Sequence, residues 1–170
     1  MIRKCLKVLG TVAAILVGVV AVYVIYLFAT YHRIADNLPL TVEQPAKKGT
    51  DVDALAVGTE YTALTYNIGF GAYTPDFSFF MDGGESSWAK SKESVLDTVQ
   101  GAGDLVASLR PDFALIEEID LDSTRSYHTD EYALLKECLP EDYTVFAQNY
   151  DSAFLFYPFT QPHGKSRSGL

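Results

Sequence analysis

The sequence predicts an α/β fold behind a single membrane-spanning helix. An uncharged apolar run extends from Val8 to Tyr31. Between Glu60 and Ile119, a strand-like segment, a helix-like segment and a second strand-like segment then follow one another. Strands that alternate with a helix in this order build a βαβ unit, and a mixed sheet could use the same elements.

The first element is the run "VLGTVAAILVGVVAVYVIYLFATY". About 20 apolar residues suffice to cross a bilayer as a helix, and a helix apolar on every side needs lipid or a large protein around it. At 170 residues the chain is not large. A cleaved signal peptide has a shorter apolar region followed by a small-residue site, whereas this run ends in "FATYHRIAD". The run therefore predicts an uncleaved signal-anchor over residues 1–31. Arg3, Lys4 and Lys7 precede it, and basic flanks stay on the cytoplasmic side, which predicts a cell-membrane protein with its C-terminal part outside the cytoplasm. His32 and Arg33 behind the span reduce that asymmetry.

Beyond the span, ten Lys and Arg stand against 22 Asp and Glu, a formal charge of −12. Proteins that bind long nucleic acids nonspecifically neutralise phosphates with basic patches, so this balance disfavours them, although net charge leaves a local basic pocket open. Cys5 and Cys138 fall on opposite sides of the predicted membrane, which excludes a disulfide framework.

Residues 32–59 read as a linker, since "ADNLPLTVEQPAKKGTDVDALAVG" carries two prolines, mixed charge and no sustained period. The folded part, 60–170, opens with "EYTALTYNI", whose β-branched and aromatic content predicts a strand ending at Asn67. A loop rich in Gly, Ser and aromatics follows. Val95, Leu96, Val99, Ala102, Leu105, Val106 and Leu109 then recur at spacings of three and four, one face of a helix stopped by Pro111 and weakened by Gly101 and Gly103. "DFALIEEI" at 112–119 predicts a buried strand with a charged end, "DEYALLKECL" a second helix and "YTVFAQN" at 143–149 a third strand.

Glu117 and Glu118 sit at a strand end, where adjacent residues point to opposite faces, so they are expected to have different roles. By composition alone both are a solvated strand end. Arg125 has the planar fork that grips phosphate, and otherwise pairs on the surface with Asp120 or Asp122. His128 is a proton donor by type, but it reads as an exposed histidine in a polar loop with no partner identifiable from sequence. "IGFGAY" lacks the third glycine and the helix start of a dinucleotide site.

"LTYNIGFG", then a helix, then "RPDFALIEEIDLDSTRS" resembles the endonuclease/exonuclease/phosphatase family of DNase I-like phosphoesterases. That family's pattern is a strand ending in Asn, a helix, then "PD", apolar residues and "QE". Asn67, Pro111, Asp112 and Glu118 match it, whereas Glu117 stands where the family has Gln. The resemblance covers about Glu60 to Leu170. It implies the N-terminal part of a four-layer α/β sandwich in which Asn67 and Glu118 are catalytic, closing the ends of neighbouring strands. Glu118, with Asn67 beside it, would hold a divalent cation, Mg²⁺ or Mn²⁺, a hard ion that commonly takes one or two carboxylates. Arg125 is the candidate substrate contact.

The expected function is that of an outward-facing, membrane-anchored, metal-dependent phosphoesterase acting on a phosphate ester of unspecified type. The family's later Asp-x-Asn, its mid-fold histidine and its terminal Asp-His pair do not occur here. The chain therefore reads as an incomplete N-terminal portion, inactive by itself. The alternative is a noncatalytic anchored ectodomain that binds a partner through the aromatic-rich loop from Tyr73 to Trp88.

Overall fold

The computed structural model describes residues 2–31, 33–47 and 54–170. His32 and the middle of the predicted linker, 48–53, lie outside the described residues. The chain forms two units, 1–33 and 34–170.

The first unit is one helix, α1 (Ile2–Thr30), of 29 residues. Its length of ~44 Å exceeds the ~30 Å hydrocarbon core of a bilayer. With a mean hydropathy of 2.7 and no buried residue, it is long and apolar enough to cross a membrane. It takes in Arg3, Lys4 and Lys7 ahead of the apolar run.

The second unit mixes helices and strands. Strand β1 (Val42–Glu43) comes from the predicted linker. Strand β2 (Ala63–Asn67) is followed by a 3-10 turn at Gly69–Gly71 and a second at Phe80–Asp82, then helix α2 (Lys92–Leu109). Strands β3 (Phe113–Glu117) and β4 (Ile119–Asp120) precede a 3-10 turn at Thr124–Ser126 and helix α3 (Glu131–Cys138). Strands β5 (Thr144–Val145), β6 (Gln148–Asp151) and β7 (Arg167–Gly169) complete the unit.

The expected βαβ unit is present: β2 and β3 pair in parallel with Asn67 opposite Glu117, and α2 connects them. Their starts are tied by the "PD" motif. Asp112 Oδ2 accepts from the Thr62 backbone N–H at 2.7 Å and the Thr62 hydroxyl at 2.9 Å, while Asp112 N donates back to Thr62 Oγ1. The Thr62 backbone bond, followed by the hydroxyl bond, holds the Asp112 carboxyl below its ordinary range.

Ser91 caps α2 by accepting from Ser94 N, and Asp130 caps α3 by accepting from Ala133 N. Val95, Val99, Ala102, Gly103 and Val106 form the buried stripe of α2. Leu96, Leu105 and Leu109, expected on that face, are exposed on its flanks. The helices α2 and α3 meet at Gly103, where an added Cβ would lie 2.5 Å from Cys138 Sγ.

Three expectations need correction. The strand 112–119 is not continuous, because Glu118 takes a left-handed backbone (φ 58°) and breaks it into β3, paired with β2, and β4, paired antiparallel with β7. It is also not buried throughout, since Phe113 and Leu115 are exposed and no further layer covers them among the described residues. The strand 143–149 likewise breaks. β5 pairs with β1 and β6 with β7, while Phe146 between them turns inward against the Tyr132 ring at 5.2 Å. Finally, part of the linker is docked: Glu43 accepts from Lys136 Nζ at 2.7 Å, and Lys47 N donates to Pro140 O at 2.7 Å.

Candidate functional site

The candidate site forms where β2 and β3 end side by side, the position at which open α/β sheets usually present ligand-binding groups. At the end of β2 the chain must turn at once. Gly69, Phe70 and Gly71 all take left-handed backbones (φ 55°, 43° and 64°), and the first and last are glycines, for which this conformation is cheap. Asn67 Oδ1 accepts from Gly69 N at 2.9 Å and so caps the turn. Its Nδ2 is left to donate to Glu118 Oε1, also at 2.9 Å. The two predicted catalytic residues are thus in direct contact.

Phe70 lacks the freedom of glycine and is held by packing. It is buried, its ring touches those of Tyr73, Phe77 and Phe79, and the Arg125 guanidinium lies 3.8 Å above it. A bulky residue with positive φ costs on the order of 1 kcal/mol or more and persists only where its surroundings fix it. Glu118 shares this trait. Its carbonyl accepts from Phe70 N at 2.9 Å, which locks the end of β3 to the turn after β2.

The left-handed turn also changes the expected separation of the two acids. Thr65 and Asn67 lie two apart on β2 and share a face. Glu117 Oε1 accepts from Thr65 Oγ1 at 3.3 Å, and Glu118 Oε1 accepts from Asn67. Both carboxylates therefore approach the same face of β2, and strand alternation does not separate them. A glutamine at 117 would be neutral here, whereas Glu117 adds a second charge.

Tyr73 stands close enough to be affected. Burial, then its donated bond to Asp82 and the charges of Asp82 and Glu118, push its phenol above the ordinary value against a smaller opposing effect of Arg125.

Arg125 is not a surface residue. It is about nine-tenths buried, with Nε on Asp120 Oδ2 at 3.0 Å and Nη2 on Asp120 Oδ1 at 2.9 Å. The expected Asp120 pairing is present, but it occupies the fork that was to meet phosphate, and Ser126 Oγ donates to the same carboxylate. Arg125 thereby braces the Phe70 turn through its contact with the ring. His128 is exposed and has a partner that the sequence did not reveal, since its Nδ1 contacts Asp122 Oδ1.

Two buried groups escaped sequence reading. Glu131 is fully buried at the start of α3, with Oε2 accepting from Asp120 N at 2.9 Å and Oε1 unpartnered. Burial, followed by the charge of Asp120, raises its carboxyl well above the ordinary range. His163 is buried beside Phe79 and Phe80, with Nε2 at 3.2 Å from Ser166 Oγ. The only sequence signal for Glu131 was an acid in the first turn of a helix, which usually marks a solvated end.

The aromatic loop proposed as a partner-binding surface packs largely inward, with Phe77 and Phe79 against the core. No group of three or more His, Cys, Asp and Glu that could hold a metal occurs among the described residues. A Mg²⁺-type site does not require one, because it commonly uses one or two carboxylates plus waters and substrate phosphate. Glu118 offers an exposed hard-oxygen donor oriented by Asn67, with Glu117 on the same face, and these groups fit such an ion. No protein-family model, curated protein or solved structure matches the chain.

Proposed function

We propose that this chain carries the cation- and phosphate-binding edge of a membrane-anchored, metal-dependent phosphoesterase that faces out of the cytoplasm. The observation that carries the reading is the 2.9 Å bond from Asn67 Nδ2 to Glu118 Oε1 at the carboxyl ends of two parallel strands. The strained backbone at Glu118 adds support, because such strain concentrates where a side chain must be aimed.

In this reading Glu118 supplies a carboxylate oxygen to Mg²⁺ or Mn²⁺, Asn67 fixes the orientation of that carboxylate, and Glu117 adds negative charge. The bound ion would offset charge on a phosphate ester and orient an attacking water. Arg125 acts as a brace through Phe70. The exposed apolar face at Phe113 and Leu115 is consistent with a DNase I-like four-layer sandwich, in which a second sheet covers that face. The outward orientation rests on Arg3, Lys4 and Lys7 ahead of the apolar run.

The test is cation binding by the full chain in lipid nanodiscs, read as loss of free Mn²⁺ signal by electron paramagnetic resonance. The parent binds Mn²⁺, Mg²⁺ competes, and Glu118→Gln lowers affinity about tenfold or more. Binding that is absent, or unchanged in Glu118→Gln, refutes the reading. Protease added to intact cells separately tests orientation, since an outward-facing unit is removed and an inward-facing one is protected.

A further inference from the structure

We propose that the arm between β6 and β7 rests in the headgroup region of the bilayer that α1 crosses, with Tyr157 and Phe159 as its inserting side chains. The arm is a hairpin closed by reciprocal bonds between Leu155 and Gly164, N to O at 2.9 Å each way, and by Ser152 N on Ser166 O. Its base is fixed to the folded unit. Ser87 Oγ donates to Gln161 O and Trp88 Nε1 to Pro162 O, both at 2.6 Å, and buried His163 lies against the Phe79 and Phe80 rings.

Its tip is apolar and open. Phe159 is 76 % exposed and Tyr157 61 %, although their rings touch each other at 5.8 Å and Phe156 stacks on Phe159 at 5.6 Å. Phe80 joins from the loop below, 5.9 Å from Tyr157, and its chain neighbour Met81 is also exposed. The unit thus holds a preformed aromatic group in water by means of a polar, well-bonded base. Large exposed apolar patches mark contact surfaces, and aromatic side chains with one polar end settle at the membrane–water interface.

Two observations identify lipid as the occupant. One is α1, a helix fit to cross a bilayer and joined to β1 by only eleven residues, 31–41. Such a tether spans on the order of 40 Å at most, so the membrane surface is always at high effective concentration. The other is charge. Between β6 and β7, residues 152–166 hold no acidic residue and one exposed base, Lys165, within a chain whose net charge is −9, while Arg167 on β7 stands opposite Asp151. A basic, aromatic arm on an acidic domain suits an anionic phospholipid surface, while the rest of the domain is repelled from it.

The inference rests on α1 spanning the bilayer, and the experiment separates the two. Full chain is reconstituted in vesicles of phosphatidylcholine and phosphatidylglycerol, with or without shallow bromine-labelled lipid. Carbonate washing reports α1. Phe159→Trp and, independently, Tyr157→Trp add an indole to the single native Trp88. Leu105→Trp, at an exposed position on α2, serves as control.

The expected result is carbonate-resistant protein whose added emission in both arm variants is blue-shifted and lost in brominated vesicles, while that of Leu105→Trp is not. Carbonate-resistant protein with solvent-like, unquenched arm indoles overturns the proposal, as it would for an arm that docks on protein. Quenching equal to that of Leu105→Trp also overturns it. Release by carbonate removes the premise and the proposal together.

Discussion

Asn67 and Glu118, 51 residues apart in the chain, are joined by a 2.9 Å side-chain hydrogen bond, and their backbones are joined through the turn that follows Asn67. One asparagine thereby performs two tasks, capping the Gly69 turn with its oxygen and aiming a carboxylate with its nitrogen. The amide can do both because its acceptor oxygen and its donor nitrogen are separate atoms pointing in different directions.

Replacing Asn67 therefore separates the two tasks. Asn67→Asp keeps an oxygen for Gly69 N but sets a second negative charge against Glu118 at neutral pH. Asn67→Ala removes both bonds. We expect Asn67→Ala to lose about 1 kcal/mol of stability for the exposed and part-buried bonds together. Asn67→Asp should be destabilised at neutral pH and recover as its carboxyl protonates on acidification. Denaturation of both variants at pH 4 and pH 7 checks this, and an Asn67→Asp variant insensitive to pH would contradict the geometry.

The shared face of Glu117 and Glu118 gives a graded expectation for cation binding. Glu118→Gln removes the oriented carboxylate and should cause the larger loss of Mn²⁺ affinity. Glu117→Gln places a neutral side chain beside it and should cause a smaller loss while leaving the site intact. Equal losses, measured by Mn²⁺ titration, would place the ion on both carboxylates, and the reverse order would place it on Glu117 instead.

Much of the scaffold around this site was legible in the sequence. The 3.6-residue period of α2 and the two flanking strands are local signals, and "PD" fell where the strand starts are tied by Asp112 and Thr62. What stayed hidden depends on residues distant in sequence. Arg125 reads as a surface residue because its burial requires Asp120 on one side and Phe70, 55 positions earlier, on the other. The break at Glu118 could not be read from "IEEID", because its three acids weaken strand propensity alike and single out no one position. It results from β4 leaving β3 to pair with β7, nearly 50 residues downstream. Residues 42–43 look like linker because a two-residue strand has no period of its own.

The two glycines of α2 have opposite surroundings. Gly101 faces open space, so Gly101→Ala should stabilise the unit by roughly 0.5–1 kcal/mol through reduced backbone entropy. At Gly103 the new methyl would meet Cys138 Sγ and Cβ at 2.5 and 2.7 Å, so Gly103→Ala should destabilise it despite the same gain in helix propensity. Comparing the two melting temperatures distinguishes close helix packing from simple propensity, since propensity alone would raise both.

The buried Glu131 carboxyl sets a pH dependence whose sign is opposite to that of an ordinary ion-paired acid. Its surroundings include the charges of Asp120, Asp130 and Arg125. Burial and the two aspartates raise its folded-state value, against the opposing effects of the Asp120 backbone bond and Arg125. An acid with a raised folded value binds its proton more tightly in the native state than in the unfolded chain. Its contribution is therefore fully present below the unfolded value of 4.5 and is lost as pH rises through the folded value. Within that window stability falls by at most about 1.4 kcal/mol per pH unit from this group. Glu131→Gln keeps an oxygen to accept from Asp120 N and replaces the acid proton with an amide, so the variant should lack this decline. Asp76, lowered to about 2 chiefly by its bond to Lys90, and Asp112 act in the opposite direction at lower pH and are common to both proteins. The difference between parent and variant therefore isolates Glu131. Urea denaturation of the nanodisc-held chain, followed by Trp88 emission from pH 4 to pH 8, should give curves that meet at the acid end and diverge upward, with Glu131→Gln the more stable at pH 8. Parallel curves would mean that the Glu131 carboxyl is ionised in the native state and that Arg125 holds it as a charge.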